Sequence, residues 1–75
     1  MADPRPAAPG WATELSHQDV ELLALLAGGL PLDAVARRMG KSERTVRRRV
    51  RGICDQLGLG TPIQAVAWAA RRGLV

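Results

Sequence analysis

The chain has no tyrosine and no phenylalanine, and its two tryptophans account for the whole aromatic content of 3%. Few large rings can therefore fill a core. Leucine, alanine and valine must do it, and they suit packed helices better than a sandwich of strands. A single cysteine, Cys54, excludes an internal disulfide and with it the small disulfide-stapled scaffolds; it fits a reducing compartment. It falls among apolar helical positions and reads as a small core residue. The single histidine, His17, leaves no cluster with metal-ligand spacing, and no glycine-rich phosphate loop is present, so neither metal, cofactor nor catalysis is expected. Glu14, Asp19 and Glu21 lie close in sequence, but acids near a helix start are ordinary dipole partners. No apolar run approaches the ~18 residues of a membrane span, and the N-terminus lacks the apolar core of a signal peptide, so a cytoplasmic location is expected.

Acidic residues are also missing where bases crowd. Arg37, Arg38, Lys41, Arg44, Arg47, Arg48, Arg49 and Arg51 are eight of the eleven Lys and Arg, and only Glu43 opposes them in that interval. The net charge of +4 is moderate, but charge focused this way favours a phosphate-bearing partner over a merely solvated face. With 75 residues the chain makes one domain whose core is small, so good helix packing or a partner has to help.

Residues 1–11 carry Pro4, Pro6, Pro9 and Gly10 and read as a flexible linker or N-terminal lead, the end of an interdomain linker or a native N-terminus; Trp11 packs back on the domain or marks its edge. The proline-rich lead favours a piece of a longer chain. Residues 12–75 form the domain, and helical periodicity divides it into four helices. Ser16 is the N-cap of the first, with Asp19 at the capping-box position and Leu15 and Val20 at the staple positions; Val20, Leu22, Leu23, Leu25, Leu26 and Ala27 give it an apolar face, and Gly28-Gly29 stops it. Pro31 starts a short second helix through Val35, Ala36 and Met39, which Gly40 ends. Ser42 caps the third.

The third helix opens with the run SERTVRRRVRGI, residues 42–53. At ~100° per residue, Arg44, Arg47, Arg48 and Arg51 make one stripe, and Val46, Val50, Ile53 and Leu57 make the opposite one. A disordered basic tail shows no such sorting. Gly52 weakens the helix by about 1 kcal/mol relative to alanine, and Gly58 or Gly60 ends it. Thr61 and Pro62 then start a fourth helix that runs to Gly73 and is apolar nearly all round. Ala65, Val66 and Ala69 are expected to face the core, leaving Ile63, Ala67 and Trp68 either as a second apolar contact surface or, for Trp68, as the closing edge of the core.

Two helices joined by a tight turn, the second basic on its outer face, make a helix-turn-helix. The runs LSHQDVELLALLAGGL, DAVARRMGKSERTVRRRV and ICDQLGLGTPIQAVAWAARRGLV together cover nearly all of residues 12–75, and in their order and spacing the chain resembles the LuxR-type, or GerE-type, DNA-binding domain of bacterial transcription regulators. The resemblance implies an all-α, four-helix domain whose third helix, about 43–57, lies in the major groove as the recognition helix. It also implies a cytoplasmic, nucleoid-associated homodimer formed through the fourth helix, bound to double-stranded DNA at a partly palindromic site, with RNA polymerase as a further partner.

Carried over residue by residue, the resemblance makes Arg47, Arg48 and Arg51 the base-contact candidates. Ser42, Arg44, Thr45 and Arg49 are the phosphate candidates, and Ile63, Ala67 and Trp68 the dimer-interface candidates. Arg49 stands where many members have histidine. The chain departs from the family at several places. Gln18-Asp19 replaces Arg-Glu, so a familiar internal ion pair is missing or rearranged. Pro31 replaces a Ser or Thr cap, Gly52 an asparagine, Gln56 a lysine, and Thr61-Pro62-Ile63 replaces Asn-Arg-Thr. These changes remove phosphate contacts near the end of the third helix. Two other functions compete: a sigma-factor region-4-like promoter module, which would be monomeric and bind polymerase core, and a basic helical interaction module for an acidic protein or RNA, which would show little preference among DNA sequences.

Overall fold

The computed structural model describes residues 15–75; the proline-rich lead, Trp11 and the start of the domain at residue 12 lie outside the described residues. The described residues form four helices and no strand: α1 (His17–Ala27), α2 (Leu32–Met39), α3 (Glu43–Leu57) and α4 (Pro62–Arg71). The chain is all-α, as its lack of large rings and its helical periodicities lead one to expect.

Local chemistry fixes each helix start. The Ser16 hydroxyl accepts from the Asp19 amide, and the Asp19 carboxylate accepts from the Ser16 amide, both at 3.1 Å, which closes a capping box on α1. Thr61 and Gln64 close a second box on α4, with Pro62 at its first position. Ser42 caps α3 by accepting from the Thr45 amide at 3.1 Å. Pro31 stands at the cap position of α2, in extended conformation, and offers no side-chain cap. Its carbonyl still accepts from the Val35 amide at 3.0 Å, so it serves the helix through its backbone alone.

Gly40 and Gly58 end α2 and α3 with φ of 67° and 69°, a left-handed conformation that a side chain disfavours. Through Gly40 the chain turns at once into Ser42 and α3. The Lys41 amide donates back to the Ala36 carbonyl at 2.9 Å and locks that turn. The turn joins α2 to α3 as in a helix-turn-helix.

The core is a single cluster. Leu22 and Leu23 from α1, Val35 and Ala36 from α2, Val46, Val50, Ile53 and Cys54 from α3, and Ala65, Trp68 and Ala69 from α4 are buried together, with Leu15 beneath the start of α1. Helix α3 packs against each of the other three, and α4 lies against α1 and α3. Burying each larger aliphatic side chain contributes roughly 1.5–3 kcal/mol, so the apolar stripe of α3 is what holds its opposite face outward. Cys54 sits in this core as expected; burial, with the nearby Asp55 carboxylate, pushes its thiol above the ordinary value, which keeps it protonated and unreactive.

Gly52 lies on the exposed side of α3 with open space where a Cβ would stand. Gly52→Ala is therefore expected to raise stability by about 0.5–1 kcal/mol, read from urea unfolding. A loss of stability would mean that α3 needs the glycine for a bend.

Candidate nucleic-acid interface

The outer surface of α3 carries Arg44, Arg47, Arg48 and Arg51, all exposed, and together they line a shallow depression of about 250 Å³. The structure thus brings four of the predicted arginines onto one face. Arg47 is engaged by Glu43 one turn earlier, at 2.7 Å. Both partners of this pair are exposed, and such a pair is worth only about 0.3–0.5 kcal/mol, so it yields readily to a phosphate or a base. Among the described residues Arg48 and Arg51 have no ion pair or side-chain hydrogen bond, and both residues are exposed.

At the N-terminal end of the stripe, the Ser42 and Thr45 hydroxyls share a hydrogen bond at 2.9 Å while Ser42 Oγ accepts from the Thr45 amide. Either hydroxyl can supply the proton of this bond and leave the other to donate outward, and both lie at the start of α3 where the helix dipole favours an anion.

Arg49 is set apart. At ~100° per residue it stands about 150° from the centre of the arginine stripe and about 70° from the apolar one. Its side chain is half-buried, and Nη1 donates to Asp19 Oδ1 at 3.3 Å, joining α3 to the start of α1. Asp19 is itself buried, at 8% exposure, and its other oxygen holds the α1 cap. An internal ion pair is thus present at Asp19, with Arg49 as its partner. Arg49 Nε is buried with no partner among the described residues, so Asp19 is what compensates this guanidinium. What sequence reasoning missed was Asp19 as the partner; the angular offset of Arg49 from its neighbours was the available signal.

Breaking this pair costs less than the about 3–5 kcal/mol of a fully buried one, because Arg49 keeps some solvent. A double-mutant cycle of Asp19→Asn and Arg49→Met in urea unfolding is expected to return a coupling of about 1 kcal/mol. Additive effects would dissolve the pair. Arg49→Met is further expected to leave the salt dependence of DNA binding unchanged, whereas a slope lowered by about 1 would restore Arg49 as a phosphate contact.

The α4 candidates separate as well. Ile63 is 79% exposed and Ala67 is exposed, whereas Trp68 is 9% exposed and packs into the core beside Ala65 and Ala69. The reading of α4 that placed Trp68 off the core face is corrected. Residues 65, 68 and 69 stand at i, i+3 and i+4, and Val66 takes the half-buried flank. The Arg72 guanidinium lies 4.1 Å from the centre of the Trp68 ring and donates to the Trp68 carbonyl at 3.3 Å, closing the edge of the core. What remains outward is a stripe of Ile63, Ala67 and Ala70, all exposed.

No group of three His, Cys, Asp or Glu among the described residues could hold a metal ion, and no helix among them is long and apolar enough to cross a membrane. His17 is the exposed first residue of α1.

The chain is similar to segments of bacterial transcription regulators. It is 36% identical over 63 residues to the transcriptional regulatory protein YdfI of Bacillus subtilis, covering 84% of this chain and 30% of that protein. It is 39% identical over 59 residues to the bialaphos biosynthetic pathway regulatory protein of Streptomyces hygroscopicus, covering 79% of this chain and 23% of that one. It is 36% identical over 69 residues to an HTH-type transcriptional regulator of Mycobacterium bovis, covering 92% of this chain and 8% of the regulator. The chain thus spans less than a third of each of these proteins. No protein-family model matches the chain, and no solved structure matches it.

Proposed function

We propose that residues 12–75 are a sequence-specific, double-stranded-DNA-binding domain of a bacterial transcription regulator, of the LuxR type, and not an enzyme. The observation that carries this reading is the outward stripe of Arg44, Arg47, Arg48 and Arg51 on a helix that is capped by Ser42, set by the Gly40 turn and held by an apolar stripe on its other side. An α-helix of this kind fits the major groove, and arginine bonds guanine O6 and N7 in a bidentate way. Arg47, Arg48 and Arg51 read bases; Arg44, with Ser42 or Thr45, grips phosphate. The similarity to regulators from three bacterial genera supports the class.

The domain acts as a homodimer on a partly palindromic site in the bacterial cytoplasm, its contact face being the outer stripe of α4, and it works alongside RNA polymerase. The apolar, exposed Ile63 supports a contact there. Selection of bound sites from random duplex DNA tests the reading. Two half-sites with centres about 10 bp apart, bound at least ~10³-fold tighter than scrambled DNA at physiological salt, are expected. No enriched site together with a steep salt dependence would reduce the basic face to an electrostatic grip.

A further inference from the structure

A second cavity lies on the flank of α3. It encloses about 380 Å³, and its walls come from three parts of the chain: Leu26 and Leu32 at the α1–α2 junction, Val50 and Cys54 on α3, and Leu59 and Pro62 at the turn into α4. This wall is apolar. The charges sit on the α3 side, where Arg47, Arg51 and Asp55 also line the cavity. The volume falls at the small end of the ~300–1,000 Å³ range of ligand pockets, and an apolar body with a few polar groups is the composition of such sites.

We propose that this groove binds an amphipathic monoanion, a carboxylate head on an apolar body, and that Arg51 is the group that holds the head. Arg47 is already paired with Glu43 at 2.7 Å, whereas Arg51 has no ion pair among the described residues, and guanidinium meets carboxylate through two parallel N–H donors. With Arg47 offset by Glu43, Arg51 is the one guanidinium of this lining without an ion pair among the described residues, which suits a single carboxylate on the ligand over two negative charges. The apolar body then lies on Val50, Cys54 and Leu59. Arg51 is also a base-contact candidate, so the occupied groove withdraws it from DNA. That last consequence rests on the DNA-binding reading; the site itself does not.

The probes are octanoate and its neutral counterpart octanol, each titrated into the free protein and followed by amide chemical shifts in two-dimensional NMR. Saturable shifts clustered at Leu26, Val50, Cys54 and Leu59 are expected, with octanoate about tenfold tighter than octanol and Arg51→Gln removing that tenfold difference. Cys54→Leu, which fills the groove, is expected to abolish the shifts; Leu59→Ala, which opens it, serves should Cys54→Leu fail to fold, and is expected to weaken octanoate severalfold. Scattered or unsaturable shifts, or equal affinity for octanol and octanoate, overturn the site. With binding established, octanoate is added to the complex with the selected DNA. Loss of DNA affinity that Arg51→Gln abolishes is expected, and undiminished affinity at saturating octanoate overturns the withdrawal of Arg51. A protein that binds octanoate but selects no DNA site fails on the proposed function alone.

Discussion

Replacing Arg48 or Arg51 by alanine is expected to weaken binding to the selected DNA site by about 1–3 kcal/mol each, and binding to scrambled DNA by less. The asymmetry follows from what these side chains lack. Neither has an ion pair or side-chain hydrogen bond among the described residues, so neither has an internal partner to surrender, and their loss leaves the core untouched. Both stand on the outer face of α3. The variants should therefore unfold like the parent, and the whole effect should appear in the complex. Fluorescence anisotropy on both DNAs, repeated at several salt concentrations, is the measurement. A base contact discriminates between the two sequences and hardly changes the salt slope. A phosphate contact weakens both alike and lowers the slope by about 1, and that result would move the residue out of the reading set. Arg47 makes a useful third variant. It must first release Glu43, so Glu43→Gln is expected to tighten binding slightly to either DNA if Arg47 reaches the duplex.

The elements that the sequence announces are those whose signal is local. Ser16, Ser42 and Thr61 each cap a helix because a short side-chain oxygen reaches an amide a turn ahead, which depends on nothing distant. Gly40 and Gly58 end helices because glycine, without a Cβ, takes the left-handed conformation cheaply. The two stripes of α3 are likewise a matter of spacing, and Val46, Val50 and Ile53 are buried opposite the arginines. Long-range pairing is a different matter. Asp19 and Arg49 are thirty positions apart, and their meeting depends on how α1 and α3 cross, which no local rule supplies. The groove on the flank of α3 draws its walls from α1, α2, α3 and the last turn, and appears only once they are assembled. On helix α4 the spacing does place Ala65 and Ala69 on the buried side, but the helix is apolar on both sides, so spacing leaves Trp68 open between an outer contact surface and the edge of the core. Its bulk decides it: the core, without phenylalanine or tyrosine, takes the one large ring available there.

Trp68→Ala is accordingly expected to destabilise the fold, by about 3–5 kcal/mol. Domains of this size have roughly 5–15 kcal/mol in total, with the smallest at the low end, so much of the variant is expected to be unfolded at 37 °C. The cavity would open between Ala65, Ala69 and the rest of the core, and Arg72 would lose the ring it covers. Any loss of self-association in that variant would thus follow from unfolding and say little about the interface. Ile63→Asp separates the two effects. At 79% exposure Ile63 contributes little to the core, so its substitution should change stability by no more than about 0.5 kcal/mol. In a dimer that meets along Ile63, Ala67 and Ala70, however, it places a charge in an apolar contact and should shift the sedimentation profile from dimer to monomer. Urea unfolding and sedimentation on both variants give a matched pair of readings. Unchanged stability in Trp68→Ala would mean that the ring adds nothing to the core it closes. Unchanged association in the folded Ile63→Asp variant would sink the outer face of α4 as the contact, and a two-fold DNA site would then have to be bound through some other surface of the chain.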